Sequence, residues 1–379
     1  MRFRVERDVL AEAVAWAARS LPARPPVPVL AGLMLSADTD AAGRLVLSSF
    51  DYEVSARVEI TADVTEPGVV LVSGRLLADI TRSLPARPVE VATDGAKVVV
   101  TCGSSRFTLL TLPVEDYPTL PEMPGASGSL RGDLFAAAVG QVSIAAGRDD
   151  TLPVLTGVRL EIEAEKITMA ATDRYRLAVR DLAWTPEQAG LSAIALVPAR
   201  TLADTAKSLA SADKVTVALA SGGTGEGLVG FEGSGRRTTS RLLDGEFPKY
   251  KSLLPAESAS VATVETAGLV ESVRRVALVA ERNTPIRLSF SGGEVTLEAG
   301  SGDEAQASES LDAGLAGDDI SIAFNPAYLL DGLGVLDAAY AELRFTASTR
   351  PAVIAAKDSM DATAGDDYRY LLMPVRLSG

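Results

Sequence analysis

Chemistry needs particular side chains within reach of one another, and this sequence supplies few. Residues 225–230, GEGLVG, meet the letter of GxGxxG, a spacing that cradles a pyrophosphate when it closes a strand and opens a helix. Here KVTVALASGGT precedes it and FEGSGRRTTSRLL follows, strand-like on both sides, so it reads as a glycine-rich connection. The 379 residues contain no histidine, which removes the commonest general base, the commonest metal ligand and every nucleophile–His–acid arrangement. The one cysteine, Cys102 in KVVVTCGSS, reads as a small buried residue and excludes an internal disulfide or CxxC zinc site. No Asp/Glu group recurs at magnesium-ligand spacing, GDD at 365–367 reads as a solvated loop, and GxxxxGK[ST] is absent. A non-catalytic protein without cofactor or metal is expected.

The elements that would position any site are repetitive. RPPVPVLAGLMLSA (24–37) and DDTLPVLTGVRLEI (149–162) share Pro-Val-Leu-x-Gly at an offset of 125 residues, with Pro28 matching Pro153 and Gly32 matching Gly157. In the same order, VSGRLLADITRSL (72–84) aligns with VPARTLADTAKSL (197–209), and SRFTLLTLPVEDYP, ending at Pro118, resembles SRLLDGEFP, ending at Pro248. ERNTPIRLSF (281–290) and FNPAYLLDGLGVL (324–336) mark a fainter third copy. Leu10, Ala13, Val14, Ala17 and Leu21 fall at helical spacing over 7–21, and 132–146 and 267–280 are its later equivalents. Short valine-rich runs such as GVVLVS and AKVVVTC read as strands. Each copy is therefore α+β, two helices laid on one face of an antiparallel sheet, with domains 1–126, 127–254 and 255–379 separated at MPGASGS and LPAESAS.

A net charge of −14 argues against a protein that coats nucleic acid by neutralising phosphates. The charge is uneven, however. The six expected helices with their flanks carry 13 Lys and Arg against 8 Asp and Glu, out of 36 and 50 in the whole chain. That distribution places a weakly basic set of helices on a strongly acidic body, or else reflects arginine used as a helix former on solvated faces. Glu6 and Asp8 interrupt any secretory leader and no apolar run approaches the ~18 residues of a membrane span, so a soluble cytoplasmic protein is expected. One oddity remains: the chain closes on YRYLLMPVRLSG, apolar where termini are usually polar and frayed.

SFDYEVSARVE, ATDRYRLAV (171–179), LLDGEFPKY (242–250), FNPAYLLDGL and the terminal YLLMPVRL occur in the order seen in the bacterial DNA polymerase III beta subunit, and the chain resembles that sliding-clamp family throughout. The resemblance implies a head-to-tail homodimer of three-domain chains, a six-domain ring with helices lining the hole, enclosing double-stranded DNA without reading its sequence. Enclosure answers the charge objection, because a ring that cannot fall off needs only weak phosphate contacts. Positions matching family DNA contacts are Arg24, Arg75, Arg148, Arg200 and Lys207. The terminal segment would line a cleft for short peptides from the replicative polymerase alpha subunit, the clamp loader, repair polymerases, ligase and mismatch-repair proteins. Carried over by position, the cleft comprises Leu155, Thr172, Arg174, Tyr175, Arg176, Leu177, Pro248 and Leu253, with Leu371, Met373, Pro374, Val375 and Arg376 from the tail. Arg176 and Arg376 would meet polar groups of the peptide. Ring closure would join Lys97, Arg106 and Leu109 to Leu278, Val279, Asp303 and Glu304, with Glu309 a further acidic partner.

The resemblance has a departure. The commoner cleft pattern is Thr-Asp-Gly-His-Arg-Leu, whereas this chain places Arg174 and Tyr175 at the Gly and His positions, so the lip is either narrowed or given an extra contact. Two other readings stay open: a peptide-binding scaffold that never encircles DNA, and a second clamp copy with altered ligand sensitivity.

Overall fold

The computed structural model describes residues 1–39, 43–219, 227–280, 284–300 and 305–376. It runs through one order of elements three times, with one strand fewer between the helices of the third pass. The first pass is β1 (Arg2–Val5), α1 (Arg7–Ala17), β2 (Gly32–Asp38), β3 (Arg44–Phe50), β4 (Val54–Thr61), β5 (Asp63–Glu66), β6 (Gly68–Ser73), α2 (Gly74–Ser83), β7 (Val89–Asp94), β8 (Lys97–Cys102) and β9 (Ser105–Leu112). The second is β10 (Ala126–Leu130), α3 (Gly132–Ser143), β11 (Gly157–Glu163), β12 (Lys166–Thr172), β13 (Arg176–Ala183), β14 (Thr185–Pro186), β15 (Ser192–Pro198), α4 (Ala199–Ser208), β16 (Val215–Leu219), β17 (Leu228–Gly233) and β18 (Arg236–Arg241). The third is β19 (Ser260–Glu265), α5 (Thr266–Val276), β20 (Ile286–Ser291), β21 (Glu294–Ala299), β22 (Ala307–Ala316), β23 (Ile320–Phe324), α6 (Pro326–Gly334), β24 (Tyr340–Phe345), β25 (Ala352–Lys357) and β26 (Tyr368–Leu372). The described part of GEGLVG leads into strand β17, and the next element is strand β18 rather than a helix.

The chain packs into two compact units, each with its own antiparallel sheet. Unit 1 holds Met1–Phe135, Thr185–Gln188 and Asp204–Leu242; unit 2 holds Ala136–Trp184, Ala189–Ala203 and Leu243–Gly379. The sheet of unit 1 has 14 strands in the order β14-β10-β16-β17-β18-β4-β3-β2-β6-β9-β8-β7-β1-β5. That of unit 2 has 12, in the order β15-β11-β12-β13-β26-β25-β24-β19-β22-β21-β20-β23. The middle repeat is thus divided: four strands and β14 extend the first repeat's sheet through the β18–β4 pair, and four join the third repeat's through β13–β26.

Local sequence explains these elements. In α1, Leu10, Ala13, Val14 and Ala17 recur at i, i+3, i+4 and i+7 and are buried, forming one core with Leu77 and Ile80 of α2 and with Leu35, Leu47, Val91 and Val100 of the sheet. Cys102 belongs to this core and is a buried free thiol. In unit 2, α6 starts at Asn325-Pro326: the Asn325 side chain accepts from the backbone N–H groups of Ala327 (2.9 Å) and Tyr328 (3.3 Å), and proline occupies the first helical position, where no N–H is needed.

The terminal strand answers the question posed by the apolar end. β26 is no edge strand; it lies between β13 and β25, with Tyr368, Tyr370, Leu371 and Leu372 buried. Only Met373–Arg376 emerge, tied by Met373 N–H to the Tyr175 carbonyl (2.9 Å) and Val375 N–H to that of Ala323 (2.8 Å). Leu377–Gly379 lie outside the described residues.

Candidate cleft and strand edges

The loop between β12 and β13 is built by its own side chains. Asp173 Oδ1 accepts from the N–H groups of Tyr175 (3.0 Å) and Arg176 (3.1 Å), and Thr172 Oγ1 donates to the Arg176 carbonyl (2.6 Å) while accepting from Arg174 N–H (3.2 Å). This turn forces Arg174 to φ +80°, the left-handed region. The first repeat builds the same turn 122 residues earlier. Asp51 Oδ1 accepts from Glu53 (3.0 Å) and Val54 (2.7 Å) N–H, and Tyr52 sits at φ +75°. The glycine expected at position 174 is the residue this backbone prefers, and Arg174 occupies it despite its side chain.

Arg176, the first residue of β13, turns inward and is only 5% exposed. Its Nε donates to Asp173 (2.9 Å), its Nη1 to Asp331 (2.5 Å), and its guanidinium lies over the Tyr328 ring. Burial alone works against its charge, but the bond to Asp331 and the field of Asp173 outweigh burial and hold the group firmly cationic. Tyr175 stacks on Tyr328, with ring centres 6.2 Å apart and planes at 24°. Burial pushes the Tyr328 phenol above its ordinary range.

Around this cluster opens a cleft of about 670 Å³, lined by Gly147, Arg148, Asp149, Leu152, Leu155, Arg174, Tyr175, Arg176, Tyr328 and Asp331. Four residues expected at a cleft are brought together there: Leu155, Arg174, Tyr175 and Arg176. Arg148, expected on DNA, also lines the cleft. Met373, Val375 and Leu253 are exposed apolar side chains of the same unit, Pro248 and Pro374 are half-buried, and Arg376 is exposed. Four of the expected cleft residues need correction. Leu177 and Leu371 are fully buried, packed with Val154, Phe247 and Tyr250, so alternation along β13 and β26 turns them into the core rather than the cleft. Thr172 is buried and spends its hydroxyl on the loop. Arg176 is no free contact for a peptide, because its own carboxylates hold it.

Tyr328, Asp331, Leu152 and Asp173 were missed as site residues. For Tyr328 and Asp331 the signal lay in FNPAYLLDGL, whose Asn-Pro start fixes the helix phase and sets them three apart on one face; for Asp173 it lay in ATDRYRLAV, where the aspartate opens the turn.

Of the expected DNA contacts, Arg24, Arg75 and Lys207 are exposed in unit 1, and Arg148 and Arg200 in unit 2. Arg75 also donates to the Pro22 carbonyl (3.2 Å), so part of its bonding capacity is used within the chain.

The expected closure residues divide by strand face. Lys97 and Arg106 are exposed, but Leu109 is 3% exposed and belongs to the core; its neighbour Leu110, on the other face of β9, is 72% exposed. Leu278 is 84% exposed on a short 3-10 turn, Ala277–Val279, and Val279 beside it is half-buried. Glu309 is already engaged by Arg275 (2.6 and 3.0 Å) and Ser272 (2.6 Å), which hold its carboxyl down at about 2. Asp303 and Glu304 lie outside the described residues. Along β9, Ser105–Leu110 pair only with β8, and along β22, 307–312 pair only with β21, so each presents a free backbone edge among the described residues.

Among the described residues no group of three or more acidic or cysteine side chains is placed to hold a metal, and no helix is long and apolar enough to cross a membrane.

Three profiles of the DNA polymerase III beta subunit match in series: its N-terminal domain over residues 1–121, its central domain over 129–249 and its C-terminal domain over 251–376. The chain is 66% identical to the beta sliding clamp of Streptomyces coelicolor, covering all of both, and 50% identical to the beta sliding clamp homolog GriR of Streptomyces muensis over 99% of each. Its fold matches the crystal structure of the Pseudomonas aeruginosa DnaN sliding clamp bound to griselimycin, with a TM-score of 0.91, 29% identity and full coverage of both chains. With its triple pass of elements and these matches along its whole length, the chain belongs to the DNA polymerase III beta subunit family and is one of its sliding clamps.

Proposed function

We propose that two copies of this chain join head to tail into a ring of six domains, 1–126, 127–254 and 255–379 from each, which encloses double-stranded DNA. The carrying observation is an unfilled place in a repeating pattern of strand junctions. The last strand of repeat 2 pairs with the third sheet strand of repeat 1, with Arg236, first residue of β18, opposite Val58 of β4. The last strand of repeat 3 does the same to repeat 2, with Tyr368, first residue of β26, opposite Arg180 of β13. The pattern requires the last strand of repeat 1, β9, to pair with the corresponding strand of repeat 3, β22, and each of these two strands has a run of free backbone edge among the described residues. Counting outward from the second helix of each repeat, Val70–Leu35–Leu47–Val58 corresponds to Ile322–Leu288–Leu297–Glu309. Glu309 therefore takes the place of Val58, and Ser105, first residue of β9, faces it in a second copy. Exposed Leu110 of β9 and Leu278, on the turn after α5, supply apolar contact, where surface ion pairs alone contribute only about 0–1 kcal/mol each.

The ring acts without catalysis, in the cytoplasm, as a mobile tether. The exposed arginines and lysine hold DNA weakly, and the cleft beside Tyr175 and Tyr328, with the tail from Met373, receives apolar peptide segments of the replicative polymerase, the clamp loader and repair proteins. The bound griselimycin of the P. aeruginosa clamp supports a ligand-receiving surface on this fold.

Two measurements test this reading. Solution mass should be that of two chains, and the protein, once loaded, should stay on closed circular DNA but run off linear molecules with free ends; equal retention on both rejects the ring. Truncation after Leu372 should abolish binding of a partner peptide while leaving the dimer intact, and unchanged affinity would place the peptide site elsewhere.

A further inference from the structure

On the face of the first repeat's sheet turned away from α1 and α2 lies a cavity of about 540 Å³, lined by Arg2, Arg4, Asp63, Glu90, Val99 and Thr101. Val99 of β8 gives it an apolar, half-buried wall, and Arg2 and Arg4 stand exposed on one face of β1. Asp63 and Glu90 lie opposite Arg4 on the strands either side, yet neither arginine side chain makes an ion pair or hydrogen bond among the described residues.

The same place is covered in the other two repeats. Two residues before the first helix of each repeat, Val5, Leu130 and Val264 hold one position, and the strand pairings carry that register across to Val99, Gly230 and Val353. In repeat 2, Met123 of the connector 113–125 lies on Gly230, where a Cβ would stand 2.7 Å from the Met123 Cγ. In repeat 3, Val353 is buried in one cluster with Phe247, Tyr250 and Leu254 of the connector 242–259. Each connector thus lays apolar side chains on the repeat that follows it. Repeat 1 has no such cover among the described residues, and Val99 borders an open cavity instead.

The chain itself displays the chemistry of an occupant. In TLPEMPG (119–125) an acid, Glu122, precedes the covering Met123. Repeat 1 alone has cations to meet such an acid: counted back from the same helix start, Arg2 and Arg4 correspond to Ser127 and Ser129 in repeat 2 and to Val261 and Thr263 in repeat 3. We propose that this cavity is a second docking site, separate from the cleft, for an irregular segment of a partner protein that sets an Asp or Glu beside an unbranched apolar anchor such as Met. The inference rests neither on the ring nor on the cleft being the peptide site.

The test is the anisotropy of a fluorescent TLPEMPG peptide titrated with the full chain. Binding should saturate, fall about three- to tenfold at low salt when Gln replaces the peptide's Glu, and fall at least tenfold when Ser replaces its Met. Val99→Glu should weaken binding at least tenfold. Arg2→Gln combined with Arg4→Gln should remove the advantage of Glu over Gln while leaving the Gln peptide near its wild-type affinity. Truncation after Leu372 should change nothing. A photoreactive methionine in the peptide should cross-link to wild-type protein within residues 2–4 and 90–101, a readout independent of how Val99→Glu folds. Absence of saturable binding, cross-links elsewhere, or affinity unchanged in a folded Val99→Glu overturns the proposal. Binding lost on truncation after Leu372 assigns the peptide to the cleft and overturns it as well. So does an oligothymidylate that displaces the peptide from wild-type protein but not from the double arginine variant, which would give these cations to nucleic acid.

Discussion

The guanidinium of Arg176 lies 4.3 Å from the centre of the Tyr328 ring, joining the start of β13 to α6. The two residues are far apart in sequence, and the ion pair to Asp331, on the same face of that helix, closes the contact. The two arginines of one loop thereby differ in state: Arg176 holds the helix that carries the tyrosine, and Arg174 is exposed.

Arg176→Met should destabilise the protein by about 2–4 kcal/mol, because it strands Asp173 beside a buried apolar surface with no cation to meet. Asp331→Asn should cost less, about 1 kcal/mol, since Asp331 is half-exposed and Asp173 still serves the arginine. Urea unfolding of the two variants checks the order, and equal small losses would contradict it.

Arg174→Gly should raise stability slightly, by up to about 1 kcal/mol, as relief of the left-handed backbone exceeds the added entropy of glycine in the unfolded chain. Tyr52→Gly, at the matching turn of the first repeat, should gain less or lose, because Tyr52 packs edge-on against Phe50 with ring centres 5.6 Å apart. Thermal melts of both variants decide this. A destabilised Arg174→Gly would mean that the turn is not strained.

The register derived for the intermolecular junction places Arg106 opposite Ser308 of the second copy. A chain carrying Arg106→Cys and Ser308→Cys should therefore form disulfide-linked dimers on mild oxidation, while Arg106→Cys with Ser310→Cys should form far fewer. Cys102 is buried and adds no background. Stronger linking in the second pair than in the first would refute the register.

Glu309 has a folded-state value of about 2 against an ordinary 4.5, through its bonds to Arg275 and Ser272. Because the folded value is the lower one, its contribution is present above about 4.5 and disappears as pH falls toward 2. The melting-temperature gap between wild type and Glu309→Gln should accordingly be widest above pH 5 and close in acid. A gap independent of pH would remove this carboxylate from the account of acid stability.

Much of the architecture is legible in the residues. Pro-Val-Leu-x-Gly announces the duplication, and amphipathic spacing in α1 and α2 places both helices on a sheet, because burial there follows a local period. What no local pattern holds is the partner across a junction. Nothing in ATDRYRLAV says that Arg176 will meet Asp331, or that β4 will take β18 as its neighbour. Leu109 illustrates a smaller failure. In SRFTLLTL two adjacent leucines offer themselves, and only the phase of the pleat decides that Leu110 faces out. The burial of Leu177 and Leu371 was obscure for the same reason, since an apolar residue lining a cleft and one lying beneath it share a composition.

The division of the middle repeat between two sheets has a consequence for anyone dissecting the chain. Excised by itself, residues 127–254 would bare the flanks of β13 and β18 together, offering two ready templates for stacking with further fragments. Such a piece should precipitate or polymerise more readily than the whole chain.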